Sequence, residues 1–273
     1  MNFRIKSGMI KTTIREIKAS LGRYLAIFAI VMLGVGFFAG LKATKPAMIA
    51  TVDDYLRRQD FFDFKLLSAI GFDKEDTKEL FEMSEVGQAE GAVSADVLCF
   101  FDDGNSDGNG DGDDAGDNAE NNTKNNEEVY RVHTMPENIN RIVLLEGRLP
   151  ERADECVLDS AVYGADMIGA EITVTEHNEE DTLEMFEERT FTAVGIVRSP
   201  YYINFERGTS SIGEGKVAAF FYVPKEAFSC DYLTEIYLTT GHGCGVYTDE
   251  YEEHIDGLLE TIEQKTEALV TDR

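Results

Sequence analysis

The sequence holds none of the compact signatures on which catalysis usually rests. A phosphate-cradling loop needs G-x-x-x-x-G-K-[ST], and the nearest approach, around Gly215-Lys216, has Ser210 at the first glycine position and Val217 where a Ser or Thr hydroxyl must reach magnesium. Neither G-x-S-x-G nor H-E-x-x-H occurs. The four histidines, His133, His177, His242 and His254, are scattered. His242 and Cys244 could ligate a metal, but no second pair is spaced to complete the site, so a loop is the simpler reading. Four cysteines without a C-x-x-C give no frame for structural zinc. The expectation is a chain with no catalytic residues, no metal and no cofactor.

Basic charge is scarce as well. Lys and Arg number 25 against 52 Asp and Glu, a formal net of −27. A phosphate backbone demands clustered Lys and Arg, so nucleic acid is excluded as a natural partner. The imbalance is uneven. Residues 1–41 carry six basic side chains (Arg4, Lys6, Lys11, Arg15, Lys18 and Arg23) against Glu16 alone, a net of +5, which leaves −32 for the rest.

Long hydrophobic runs are limited to one, Tyr24–Leu41, YLAIFAIVMLGVGFFAGL. At about 1.5 Å per helical residue, 18 residues just cross a hydrocarbon core of about 30 Å. The run is too long for a signal-peptide h-region, and Phe38-Ala39-Gly40 is a poor cleavage site. Gly34-x-Gly36-x-x-Ala39 matches a dinucleotide fingerprint, but a Rossmann strand is about 5–6 residues long, and Pro46 would fall inside the helix that should follow. Positive charge stays on the cytoplasmic side. The expected topology is therefore a single crossing of the cell membrane by residues 24–41, with the N-terminus cytoplasmic and the bulk of the chain extracytoplasmic. Within 1–23, Ile10, Ile14, Ile17 and Leu21 recur at helical spacing, which predicts a basic amphipathic helix in the interface. Gly36 and Gly40 form a G-x-x-x-G pair that lets another membrane helix approach.

Beyond the span, residues 42–60 are helix-compatible after Pro46, and Phe61–Ser68 reads as a strand. Asp73 is an N-cap, with Asp76 three residues on, for a helix to about Met83. A second strand over Ala92–Phe101 completes a βαβ-like unit, so that 42–101 forms the first part of the outer domain. Residues 102–128 hold ten acids and one Lys, and cannot offset their ordering entropy by burial, so a disordered loop is expected. Asp107, Asn109, Asp111 and Gly112 match half of a calcium loop, but Asn118 replaces the bidentate Glu. Residues 129–240 carry turn-punctuated strands at 128–134, 142–145, 155–159, 171–175, 189–197, 217–223 and 233–240, with a short helix near Ser160–Tyr163. From about 246 to 273 the pattern is helical: Tyr251, Ile255, Leu258, Ile262 and Leu269 form a heptad-like seam with Lys265 in the missing place. Cys99 and Cys156 read as core residues, whereas Cys230 and Cys244 flank one strand and could pair outside the cell. Arg198, Tyr201, Tyr202 and Arg207 cluster in one loop; aromatics with Arg make contact surfaces, and packing on the loop's own domain is the competing reading.

In sum the fold class is α+β: a transmembrane helix, a mixed α/β extracytoplasmic domain and a C-terminal amphipathic helix. Its motif order, SLGRYLAIFAIVMLGVGFFAGLKAT (20–44), IVLLEGRLP (142–150), ECVLDSAVYGADMIGAEITV (155–174) and FTAVGIVRSPYY (191–202), resembles that of FtsX/MacB-like ABC transporter permeases over about residues 8–260. The resemblance implies a porter-like βαβ platform built from Phe61–Phe101 and from Leu233 onward, its returning strand missing, with a mainly β subdomain inserted between. It also implies a permease role, with partners in further transmembrane helices or a second permease subunit, a separate cytoplasmic ATP-binding subunit and the bilayer. Such permeases have at least four spans, so the expectation is the N-terminal part of one. An autonomous single-pass binding or sensing module is the alternative.

Overall fold

The structure, a computed structural model, describes residues 7–102 and 127–271. The acidic segment and its half calcium loop thus lie largely outside the described residues. The chain divides into two units, Met1–Asp53 and Asp54–Arg273.

The first unit is helical. α1 spans Ser7–Ala19, and α2 starts at Leu21 and runs on as one element to Arg58. α2 is long and apolar enough to cross a membrane, with a mean hydropathy of 2.3 over its best window. Ile30, Leu33 and Phe37 are all more than two-thirds exposed. A helix that is apolar all round and uncovered by protein belongs in an apolar solvent. Pro46 cannot donate to the preceding turn, yet the helix continues through it.

The second unit begins with the end of α2. Asp60 takes a left-handed conformation (φ 46°), and Phe61 N–H donates to the Leu56 carbonyl at 3.1 Å, a Schellman-type stop. β1 (Phe64–Phe72), α3 (Lys74–Phe81) and β2 (Gln88–Ala92) follow. Asp73 Oδ1 accepts from Glu75 N–H at 2.7 Å and Asp76 N–H at 2.9 Å, and Asp76 Oδ2 accepts from Asp73 N–H at 2.8 Å, a complete capping box. Asp73→Ala is expected to cost about 1 kcal/mol, read as a lower urea midpoint for the full chain.

β10 (Leu233–Thr239) inserts between β1 and β2, antiparallel to both. The result is a three-stranded sheet, order β1-β10-β2. α3 and the C-terminal α5 (Asp249–Thr271) cover one face, through Leu80, Ile262 and Leu269 against Phe64, Phe72, Ile236 and Leu238. The heptad-like seam therefore packs on the chain's own sheet, and Lys265 in its gap pairs with Glu79 of α3 at 2.5 Å. The strand expected over Ala92–Phe101 is two strands. β2 ends at Ala92, and β3 (Ser94–Asp102) leaves for the other sheet. The break falls at the buried Val93, and no Gly or Pro between Ala92 and Phe101 marks it.

The other sheet contains β3, β4 (Glu127–Thr134), β5 (Val143–Gly147), β6 (Glu155–Asp159), β7 (Glu171–Val174), β8 (Thr190–Arg198) and β9 (Ala219–Val223). Its order is β5-β8-β6-β9-β4-β3-β7, and β7 also pairs with β8, so six strands close into a small barrel with β5 sharing an edge of β8. Alternate residues fill the interior: Val97 and Cys99, Cys156 and Leu158, Phe191 and Ala193, Ala219 and Phe221. Phe220 and Tyr222 point outward to a second cluster with Val157 and Val197. The short helix expected at Ser160–Tyr163 is instead a turn, held by Asp159 Oδ1 accepting from Ala161 N–H at 2.9 Å. A 3₁₀ turn follows at Ala165–Met167. A short α4 (Glu180–Glu184) was not foreseen.

Candidate functional site at the junction of sheet and barrel

The loop after β8 places three of the four contact-loop residues inside the fold. Ser199 turns the chain: its hydroxyl accepts from Tyr201 N–H at 3.2 Å and bonds the Tyr222 hydroxyl at 2.7 Å. Tyr201 and Tyr202 thereby drop, half-buried, between the barrel and the uncovered face of the small sheet. Lys65 of β1 donates to the Tyr201 hydroxyl at 2.8 Å and pairs with Glu235 of β10 at 2.6 Å. Tyr237 also donates to Glu235, and burial beside that carboxylate pushes the Tyr237 phenol up. Phe62 closes the site against the Tyr201 and Tyr237 rings, at 6.0 and 5.2 Å.

On the barrel side, His133 Nε2 lies 2.6 Å from the Tyr202 hydroxyl, and its ring stacks on Tyr222 at 5.2 Å. Burial, with Lys65 and Arg131 nearby, lowers His133 to about 3. The unfolded chain binds a proton here as pH falls through about 6.5, while the folded chain does not until about 3. Stability from this group is thus complete above about pH 6.5 and is lost between there and 3. The full chain is expected to lose about 2 kcal/mol more than His133→Gln between pH 7.5 and pH 5, measured by urea unfolding at both values.

Arg207 is turned inward. It meets Asp159 at the end of β6 with two hydrogen bonds, Nε to Oδ2 and Nη2 to Oδ1, the latter 3.0 Å, and both side chains are almost fully buried. Its guanidinium lies 5.6 Å over the Tyr202 and Phe220 rings, themselves stacked at 4.3 Å. Of the four, only Arg198 is exposed. The Tyr201, Tyr202 and Arg207 side chains pack on the loop's own domain and build the junction. The exposed tip is Ile203 and Phe205, the latter 97% exposed. An alternating I-x-F in a polar loop was the available signal. The buried partner of Arg207 lies 48 residues away, and no spacing announced it.

Beside Arg198 lies a cavity of about 290 Å³, lined in part by Tyr55, Ser160, Tyr202 and Phe205. The Tyr55 hydroxyl is buried there without a hydrogen-bond partner. Burial raises the Tyr55 phenol, and Arg198 opposes that shift. A second, larger groove of about 730 Å³ runs between α3, β2 and residues 225–233. In the first unit, a Cβ added at Gly36 or Gly40 would meet nothing within 4 Å, so that face of α2 is open among the described residues. Cys230 and Cys244 are both free and lie in the segments before and after the seven-residue β10. The pairing entertained from sequence is therefore not formed in this structure. Among the described residues no three His, Cys, Asp or Glu side chains converge as a metal site.

No family model and no curated protein matches the chain. Among solved structures it is similar to the periplasmic region of MacB from Actinobacillus actinomycetemcomitans, at 11% identity and a TM-score of 0.34, covering 72% of this chain and 75% of that one. It is also similar to the extracellular domain of the noncanonic ABC-type transporter YknZ from Gram-positive bacteria, at 10% identity and a TM-score of 0.36, covering 71% and 86%.

Proposed function

We propose that the chain is the N-terminal part of an FtsX/MacB-like ABC transporter permease subunit, anchored by α2 with its N-terminus cytoplasmic. Its outer domain couples ATP-driven rearrangement to export or to force on a partner. The observation that carries this reading is the uninterrupted α2, whose last turn is wired into the folded domain. Leu56 is buried, and Arg57 Nη2 donates to the Cys244 carbonyl at 2.7 Å. The Asp60 and Gln59 carbonyls accept from Asn140 and Arg141 N–H at 3.0 and 2.9 Å. A movement of the helix end therefore loads two separate segments, the loop before α5 and the loop before β5. Hydrolysis is assigned to a separate cytoplasmic ATP-binding subunit, and the open Gly36/Gly40 face to further permease helices.

Affinity purification of the full chain from its native membranes tests this. The expected result is co-purification with an ATP-binding subunit, reduced at least tenfold in a Gly36→Leu/Gly40→Leu variant. Recovery of the chain alone, from membranes that hold such subunits, would contradict it. The 730 Å³ groove favours a second reading, a single-pass extracytoplasmic binding or sensing module, which predicts that solitary recovery.

A further inference from the structure

The segment between β10 and α5 brings a thiol, an imidazole and a carboxylate into one chain of contacts. Cys244 Sγ lies 3.4 Å from His242 Nδ1, and His242 Nε2 lies 3.0 Å from Asp63 Oδ1. Asp63 is fixed in turn: Oδ2 accepts from Thr240 N–H at 2.6 Å and its hydroxyl at 2.9 Å, and Oδ1 accepts from the Tyr251 hydroxyl at 2.9 Å. The His242 ring is braced by Tyr251 and His254, at 4.8 and 5.6 Å between centroids. A nucleophile beside a base that a third group orients is the arrangement that activates a thiol. The other cysteines lack it. Cys99 and Cys156 are fully buried, and burial pushes both thiols up. Cys230 is half-buried like Cys244, but it packs against the barrel core and its sulfur meets the Tyr232 carbonyl, at 3.7 Å, rather than a base.

We infer that Cys244 is a reactive thiol and a site of thiol–disulfide exchange, with His242 as its base and Asp63 positioning the ring. In the step, Nδ1 takes the Sγ proton, and the Cys244 carbonyl oxygen, 3.0 Å from Nδ1, accepts the resulting N–H. The thiolate attacks one sulfur of a low-molecular-weight disulfide, whose S–S bond breaks as the new bond to Cys244 forms. The other sulfur leaves as a thiolate and takes up the imidazolium proton. The product is a mixed disulfide on the residue whose carbonyl holds Arg57.

The test is the reaction of 4,4′-dithiodipyridine with the full chain in detergent, followed by released thiopyridone. One fast thiol is expected, absent in Cys244→Ser and retained in Cys230→Ser. His242→Gln should slow it at least tenfold and leave the Cys230 rate unchanged. A Cys244 rate equal to that of Cys230, compared in the two single serine variants, would overturn the proposal without reference to His242→Gln. So would an unchanged rate in a folded His242→Gln chain.

Discussion

Arg207→Ala is expected to destabilise the outer domain by about 3–5 kcal/mol, because it strands a buried carboxylate. Asp159 is 1% exposed and Arg207 6%. With the guanidinium gone, the Asp159 carboxylate keeps the Ala161 N–H as its one donor among the described residues, and the Asn204 carbonyl loses Arg207 as well. The attraction within the pair is not itself the source of this number. Two charges taken out of water gain little net, and the large cost comes from removing one. Arg207→Met combined with Asp159→Leu should therefore recover most of the loss. Urea unfolding of the full chain and the two variants measures this. A single variant costing less than about 1 kcal/mol would mean that water reaches Asp159 freely.

Gly147→Ala should cost nearly as much, for a backbone reason. Gly147 has φ +76° and pairs in register with Gly195, in the segments LEGRLP and FTAVGIV. A Cβ on Gly147 would sit 2.3 Å from the Val194 carbonyl oxygen, and one on Gly195 2.3 Å from the Arg148 carbonyl oxygen. Left-handed strain of about 1–3 kcal/mol and overpacking of similar size together predict a loss of about 3–4 kcal/mol. Hydrogen exchange should show the loss first in β5 and β8. Protection unchanged in both strands would show that β5 can lift away without penalty.

These two glycines also explain what could be read in advance. The segments 142–150 and 191–202 were legible because close backbone approach leaves only glycine at Gly147 and Gly195, a constraint written in single residues. The Asp73 cap and the α5 seam were equally local, the first set by residues three apart and the second by a helical period. What escaped was non-local. The barrel closes because β7 reaches both β3 and β8, and nothing in a four-residue strand states its partners. The Ala92–Phe101 run hid a change of sheet, since no Gly or Pro within it marks the break at Val93. Tyr201, Tyr202 and Arg207 were singled out by composition, but their direction depended on Lys65, His133 and Asp159, distant in sequence. The Cys244–His242 contact was within view as H-G-C, but its third member, Asp63, lies 179 residues away.

The proposed topology is one crossing by α2, with the N-terminus inside. Membrane-impermeant maleimide labelling of intact cells tests this, using single cysteines at two positions in a Cys230→Ser/Cys244→Ser background. Phe205→Cys, at the most exposed apolar side chain of the outer domain, should label in intact cells, and Lys11→Cys should label only after permeabilisation. The reverse pattern, or labelling of both positions from outside, would contradict the account.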